Sequence, residues 1–205
     1  MSVEWTGQPP FGRDISLKHT LEILDARRGP SPLIIEVGTS ESYSPNGLGN
    51  AMLAFAFYAG RYGARVKSVD VNCIDNSKAI LKQYCPEYAD LPEFFLADAF
   101  DWAPTIAEPI DLVYMDASFE LSCDPSYSSY AKRFADTIPS WYVEFFKRFS
   151  PACFNRGALM LFDDTDPQTY WGKGVHIIPQ LLSQGWSKIE LRGEPVFPMV
   201  LLEKV

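Results

Sequence analysis

A chain of 205 residues is long enough for one domain with a substantial core, and its 47% hydrophobic and 21% charged residues are ordinary for a globular protein. We predict a cytoplasmic protein without membrane contact, because the sequence shows no secretory signal and no apolar run near the ~20 residues that cross a bilayer. A net charge of -8 argues against a nucleic-acid partner, since a phosphate backbone would be repelled.

The first half of the chain alternates between helical and extended patterns. Apolar residues at helical spacing over 15–29 predict an amphipathic helix that ends at Gly29 and Pro30. The apolar run after that break closes in Glu36 and Gly38 and predicts a buried strand. The next predicted elements are a helix over 47–63, a strand over 64–72, a helix over 76–84, a strand over 93–96 and a short helix after Ala99.

The second half continues this alternation after one interruption. A strand over 110–116 precedes residues 117–138, which are rich in Ser, Tyr and Asp and are predicted as an insertion or lid. A helix over 139–151 and a strand over 157–164 follow, and residues 175–205 predict one helix and two strands. Because a short turn, Arg192-Gly-Glu-Pro, joins those two strands, they must pair antiparallel.

Alternating strands and helices predict an α/β fold with right-handed crossovers and a largely parallel sheet. The chain is predicted to form a single domain over 1–205, with 1–14 as an N-terminal extension. The cysteines include no C-x-x-C pair, so we expect reduced, structural thiols rather than a zinc site or a disulfide framework. Their positions are Cys73, Cys85, Cys123 and Cys153.

Acidic residues follow nearly every predicted parallel strand. The carboxyl ends of parallel strands share one edge of a sheet, where ligands of open α/β sheets bind, so these acids are expected to meet there. The alternative is that each acid caps a helix or occupies a turn. That alternative explains Asp116 with the pair Asp163 and Asp164 less well, since their two strands would be neighbours ~4.8 Å apart. Oxygen ligands without His or Cys suit Mg²⁺.

The order of elements resembles the class I S-adenosylmethionine-dependent methyltransferases, over roughly residues 15–205. The stretch IEVGTSESYS, residues 35–44, resembles the first motif of metal-dependent O-methyltransferases related to catechol O-methyltransferase. MDAS at 115–118 and FDD at 162–164 resemble their metal-ligand segments, and GKGV at 172–175 is similar to macrolide sugar O-methyltransferases and cephalosporin-biosynthesis relatives. The resemblance implies a three-layer, doubly wound Rossmann-like methyltransferase fold, with seven strands and an antiparallel C-terminal hairpin.

The resemblance also implies which residues bind the cofactor and a metal. Asp70 would accept hydrogen bonds from the ribose hydroxyls of S-adenosyl-L-methionine, and Asp98 would lie near the adenine amino group. Mg²⁺ would bind a substrate hydroxyl, lower its pKa and orient it for in-line methyl transfer. The implied cofactor set is Glu36, Gly38, Ser40, Tyr43, Ser44, Asp70, Asp98, Ala99 and Asp116, and the implied metal set is Asp116, Asp163 and Asp164.

The catalytic base is where the sequence departs from the pattern. Phe119 stands where the catechol enzymes carry a Lys, which leaves Asp166 and His176 as candidate catalytic residues. Asp166 lies about where macrolide relatives place a His, but a turn residue would look the same, and His176 fits equally as a surface or packing residue. Aromatic residues predicted either to line an acceptor pocket or to pack are Tyr127, Tyr130, Trp141, Tyr170 and Trp171.

The sequence therefore predicts a methyltransferase that uses Mg²⁺ to O-methylate a hydroxylated small molecule, such as a phenol, a sugar or a natural product. A metal-independent methyltransferase and a non-catalytic methyltransferase-like partner protein remain alternatives. A nicotinamide-dependent oxidoreductase is disfavoured, because the next glycine after Gly38 is Gly47 and no G-x-G-x-x-G follows the first strand. The acceptor and the oligomeric state, a homo-oligomer included, are left open.

Overall fold

The computed structural model describes residues 15–27, 29–39, 51–117, 140–192 and 198–205. Within these ranges the predicted helices and strands are all present, with ends shifted by a few residues. The strands are β1 (Leu33–Val37), β2 (Arg65–Asp70), β3 (Glu93–Leu96), β4 (Leu112–Met115), β5 (Leu159–Phe162), β6 (Trp186–Ile189) and β7 (Val200–Lys204). The helices are α1 (Ile15–Arg27), α2 (Ala51–Tyr62), α3 (Ile74–Tyr84), α4 (Ala99–Trp102), α5 (described over 140–146) and α6 (Ile177–Ser183).

The strands form one seven-stranded sheet in the order β3-β2-β1-β4-β5-β7-β6. The first five strands pair in parallel, whereas β7 pairs antiparallel with both β5 and β6. The predicted fold class, a doubly wound and mostly parallel sheet with an antiparallel C-terminal hairpin, is confirmed. The chain order reverses between β1 and β4, and a reversal of this kind creates a crevice at the carboxyl ends of the strands.

Both faces of the sheet are covered, which explains why its central strands read as continuous apolar runs. Every residue of β1, β4 and β5 is buried. Ile35 packs in the cluster that includes the α5 residues Tyr142 and Phe145, and Ile34 packs in the cluster that includes α1 and α2. Alternate residues of one strand therefore pack against the helices on opposite faces of the sheet. The end of each such strand is fixed by packing on both faces.

Several sequence-based predictions fall outside the described residues. These are the extension 1–14, all of the insertion 117–138 except Ala117, and Ser40, Tyr43, Ser44, Phe119, Cys123, Tyr127 and Tyr130. Cys73, Cys85 and Cys153 are buried free thiols. Among the described helices, none has the length and apolar composition that a membrane span requires.

Candidate functional site

A cleft lies at the carboxyl edge of the sheet, on the side of β1, β2 and β3. Its walls come from the ends of β1 to β4 and from α5, so the fold gathers here several residues that are far apart in sequence. The cleft is lined by Val37, Gly38, Val69, Asp70, Val71, Ala97, Asp98, Ala99, Ala117 and Trp141. Four members of the predicted cofactor set, Gly38, Asp70, Asp98 and Ala99, thus lie in one cleft.

Gly38 lets the end of β1 pack directly against the chain that leaves β4. Its φ is +83°, and a Cβ placed there would lie 2.5 Å from the Cα and 2.6 Å from the N of Ala117. Its N–H donates to the carbonyl of Val69 at 3.0 Å. A side chain at this position is excluded by backbone conformation and by contact with Ala117, which is a requirement separate from any approach of a cofactor.

Asp70 is held rigidly at the end of β2 by backbone donors. Its Oδ2 accepts from the N–H of Thr39 at 3.0 Å, and its Oδ1 accepts from the N–H groups of Asn72 and Cys73 at 2.7 and 2.8 Å. A carboxylate offers about four acceptor positions, so these three bonds leave capacity for a further donor. The carboxylate is preorganised to accept a hydrogen bond from a ligand hydroxyl in the cleft.

Asp98 caps helix α4 and also lines the cleft. Its Oδ1 accepts from the N–H of Phe100 at 2.8 Å, and the residue is exposed. The capping alternative therefore holds for Asp98, but it does not exclude a ligand contact, because the second carboxylate oxygen has no hydrogen bond to the described residues in the structure.

Glu36 lies beneath the cleft rather than in its lining. The residue is 1% exposed, and its Oε2 accepts from the hydroxyl of Ser68 at 2.6 Å. The pKa of Glu36 is raised to about 7, mainly by burial and to a smaller extent by the negative charge of Asp70, against hydrogen bonds from Ser68 and Thr39. Its predicted contact with the cofactor stays a prediction, and its observed partners are protein hydroxyls.

The three predicted metal ligands meet next to this cleft. β4 pairs with β5 so that Met115 is opposite Phe162, which places Asp116 and Asp163 side by side just beyond the two strands. One carboxylate oxygen from each of Asp116, Asp163 and Asp164 lies within 4.8 Å of the others. We call these three residues the acidic cluster. Since Ala117 lines the cleft, the acidic cluster adjoins it.

Lys173 enters the acidic cluster and was not among the residues predicted for the site. Its Nζ lies 2.6 Å from Oδ1 of Asp116 and 2.9 Å from Oδ2 of Asp164, and its side chain is 1% exposed. It also donates to the backbone carbonyl of Asp116 at 3.3 Å. The signal that could have revealed it is a lysine between two glycines, nine residues after Asp164, in the quoted GKGV stretch.

A tight backbone crossing brings Lys173 to the acids. Gly172 has a φ of +110°, and a Cβ there would lie 1.9 Å from the carbonyl oxygen of Asp164. Thr165 forms an isolated antiparallel bridge with Gly172, and its hydroxyl accepts from the N–H of Gly174 at 3.1 Å. Only glycine permits both this φ and this approach, so residue 172 determines where residue 173 points.

Gly172→Ala is expected to lower the free energy of unfolding by about 2 kcal/mol or more, because strain at positive φ adds to a backbone clash. Gly157→Ala is the matched control, since Gly157 has a φ of +88° but open space where a Cβ would lie. Urea unfolding of both variants separates the two contributions. Equal losses of unfolding free energy in the two variants would show that the close contact with Asp164 does not require glycine at residue 172.

Among the described residues, Lys173 neutralises the acidic cluster only in part. Burial raises the pKa of Asp163 well above its usual range, and the nearby charge of Asp116 raises it further. Burial also raises the pKa of Asp116, against the attraction of Lys173. Although burial alone would lower the pKa of Lys173, the neighbouring acids hold it well above its ordinary value. Three carboxylates and one ammonium leave two negative charges when all are ionised, and a hard divalent cation matches that charge and this oxygen donor set.

The two predicted catalytic bases do not join the acidic cluster in the contacts that the structure shows. Oδ1 of Asp166 accepts from the N–H groups of Gln168 and Thr169 and from the Thr169 hydroxyl, at 2.7 to 3.0 Å. These bonds lower the pKa of Asp166 and favour the turn alternative, while its role as a base stays a prediction. His176 is exposed immediately before α6, where its backbone carbonyl accepts from Gln180 at 3.0 Å. His176 as a base stays a prediction without a contact that favours it.

The described aromatic candidates separate into different places. Trp141 lines the cleft and also stacks on Phe145, at 5.0 Å between ring centroids. Tyr170, with a φ of +59°, is partly buried against the core, whereas Trp171 is 67% exposed. The side chain of Trp171 is thus accessible to a ligand.

A cavity of about 350 Å³ lies elsewhere, between α5, α6 and the hairpin strands. Phe146, Phe154, Leu181 and Trp186 contribute to its mostly apolar lining, and Lys147 and Lys204 lie among its residues. It contains no member of the predicted site. Cavity volume therefore does not identify the carboxyl edge, where the acidic residues converge, as the candidate site.

No family model and no curated protein matches the chain. Solved structures do match it at low identity. An rRNA methylase from Streptococcus thermophilus is 12% identical with a TM-score of 0.59, covering 93% of this chain and 96% of that one. The TDP-rhamnose 3'-O-methyltransferase CalS11 of calicheamicin biosynthesis is 14% identical with a TM-score of 0.60, covering 93% and 78%. The SAH-bound methyltransferase PaMTH1 of Podospora anserina is 15% identical with a TM-score of 0.50, covering 84% and 71%. The likeness shows that the chain has the Rossmann-like methyltransferase fold.

Proposed function

We propose that this protein is an S-adenosylmethionine-dependent methyltransferase that methylates a hydroxyl group of a small molecule with the help of Mg²⁺. The observation that carries the proposal is the position of the acidic cluster directly beside a cleft that contains Gly38, Asp70 and Asp98. The names of similar structures, which include a sugar O-methyltransferase and SAH-bound proteins, support this reaction class.

The cofactor side of the proposal rests on Asp70 and Trp141. Asp70 would accept a hydrogen bond from a ribose hydroxyl, since three backbone donors already hold its carboxylate in place. Trp141, packed edge-on against Phe100 at 5.1 Å, supplies an aromatic wall on the same cleft for a planar base. Asp98, at the rim, would accept from an exocyclic amino group.

The acceptor side rests on the acidic cluster. Asp116, Asp163 and Asp164 would hold Mg²⁺, which when bound lowers the pKa of a hydroxyl and stabilises its oxyanion. In the proposed reaction the acceptor oxygen bonds to the methyl carbon while the carbon–sulfur bond breaks, and the hydroxyl proton is released to solvent. The chain contributes orientation, because Asp116 and Ala117 are consecutive residues that join the cluster to the cleft.

A metal-independent methyltransferase is the second candidate, and Lys173 is the observation that favours it. A buried ammonium already pairs with Asp116 and Asp164, so the cluster is partly neutralised without an added ion. Calorimetry with S-adenosylhomocysteine, followed by a screen of phenols, sugars and other hydroxylated acceptors, tests the methyltransferase. Turnover that a chelator abolishes and Mg²⁺ restores supports the first candidate, and turnover indifferent to the chelator supports the second.

Asp70→Ala is expected to weaken S-adenosylhomocysteine binding at least ~10-fold, because a charged acceptor for hydroxyl donors is lost. Calorimetry measures this affinity directly. Asp90→Ala is the control, because Asp90 is an exposed acid in the turn before β3, at the opposite edge of the sheet. Unchanged affinity in Asp70→Ala would contradict the proposed cofactor cleft.

A further inference from the structure

We infer that Lys173 is a resident cation of the acidic cluster that competes with a divalent metal ion and thereby lowers the affinity of the site for that ion. The inference rests on the proposed metal function of the cluster. It concerns a residue to which the sequence motifs assigned no role, and it determines how firmly the protein holds its metal.

The geometry makes competition direct. The Nζ of Lys173 contacts carboxylate oxygens of Asp116 and Asp164, which are two of the three acids that converge. The third acid, Asp163, has a different neutral partner, the hydroxyl of Tyr114 at 2.9 Å from its Oδ2. An ion that binds all three acids must therefore share the carboxylates of Asp116 and Asp164 with the ammonium or displace it.

Because the Lys173 side chain is buried, its ammonium cannot move away from an ion that binds to the acidic cluster. The Lys173 side chain is 1% exposed, and its backbone is held by the crossing of Gly172 over Asp164. The ammonium cannot move into water without unpacking this loop. It thus stays within a few ångströms of any ion in the cluster, where the two positive charges repel each other.

The same burial excludes a direct role for Lys173 in contacting the acceptor. An ammonium that donates to two carboxylates and to the carbonyl of Asp116 has its three N–H groups engaged. Lys173 is consequently a positioning residue, which holds Asp116 and Asp164 together before the metal arrives.

The experiment compares Mn²⁺ binding, measured by the loss of the free-ion electron paramagnetic resonance signal, in the full chain without cofactor or acceptor. Lys173→Met removes the charge and keeps most of the side-chain volume, and Lys173→Arg keeps the charge. Lys147→Met is the control, because Lys147 is an exposed residue after α5 that pairs with Glu144. We expect Lys173→Met to bind Mn²⁺ at least ~10-fold more tightly than the unaltered protein, and the other two variants to stay within ~3-fold of it.

Lys173→Met leaves the three acids of the cluster without their buried cation, so the variant could fail to fold in the absence of metal. Asp164→Asn and the double variant Lys173→Met with Asp164→Asn provide a second comparison at lower negative charge. The double variant is expected to bind Mn²⁺ at least ~10-fold more tightly than Asp164→Asn alone. Equal or weaker binding after loss of Lys173 in either comparison overturns this inference. Failure of every variant, and of the unaltered chain, to bind Mn²⁺ overturns the proposed metal site as well, whereas loss of S-adenosylhomocysteine binding alone would count only against the methyltransferase proposal.

Discussion

Asp163→Ala is expected to reduce metal-dependent methyl transfer by about 10³-fold, because a bound metal supplies several kcal/mol of transition-state stabilisation and each 1.4 kcal/mol is tenfold in rate. Asp163 is one of the three acids of the cluster, and its Oδ2 accepts from the hydroxyl of Tyr114. Its removal leaves the cleft around Asp70 unchanged, so affinity for S-adenosylhomocysteine should stay within ~3-fold of the unaltered protein. Turnover assays with Mg²⁺ and calorimetry with S-adenosylhomocysteine measure the two quantities separately.

Asp90→Ala again serves as the control, since it removes an exposed carboxylate far from the carboxyl edge. Parallel losses of turnover and cofactor affinity in Asp163→Ala would argue that the change disrupts the fold around β5 rather than a metal site. Full turnover in the presence of a chelator would instead favour the metal-independent candidate, with Lys173 as the only cation at the acidic cluster among the described residues.

Glu36→Gln is expected to increase the free energy of unfolding, relative to the unaltered protein, by more at pH 8 than at pH 4. Burial raises the folded pKa of Glu36 from 4.5 to about 7. Between these values the folded state keeps a proton that the unfolded state has lost, so the stability that neutral Glu36 contributes is complete below pH 4.5 and lost as pH rises through 7. A pKa shift of this size corresponds to a loss of about 3 kcal/mol of unfolding free energy as the pH rises. The glutamine variant would not show this loss, because its side chain is neutral at every pH.

The measurement is urea unfolding of the unaltered protein and of Glu36→Gln at several pH values between 4 and 8. The quantity of interest is the difference in unfolding free energy between the two proteins, because the titrations of Asp116 and Asp163 then cancel. Glu93→Gln provides a matched control, since Glu93 is exposed on β3. A difference that does not change with pH would show that Glu36 titrates as an ordinary glutamate.

Much of the fold could be predicted because it depends on local patterns. Hydrophobic periodicity placed β1, β4 and β5 within a few residues of their observed bounds, since a strand covered on both faces is buried along its length and therefore mostly apolar. The short turn predicted at 192–195 required antiparallel pairing of β6 and β7, and the two strands do pair in this way. Because the strands were predicted to be parallel, the acids at their carboxyl ends were expected at one edge of the sheet. Asp116, Asp163 and Asp164 do lie close together there.

The roles of individual acidic residues could not be predicted, because they depend on the course of the loops between the strands and helices and on packing across the sheet. Asp166 and Asp163 are three residues apart and look alike in sequence, yet one caps a turn and the other lies in the acidic cluster. The role of Glu36 was likewise ambiguous, because its partner Ser68 comes from the neighbouring strand and the depth of its side chain depends on packing across the sheet.

The amino-acid sequence by itself determined the order and type of the elements, the direction of the strands and the edge at which the acids gather, because these follow from periodicity and from the chirality of crossovers. Only the tertiary structure decided that Lys173 pairs with Asp116, 57 residues earlier, and so what charge the site carries. The physical reason is that a buried ion pair depends on one backbone crossing, that of Gly172 over Asp164, and no local pattern of residues encodes the distance between two crossing segments.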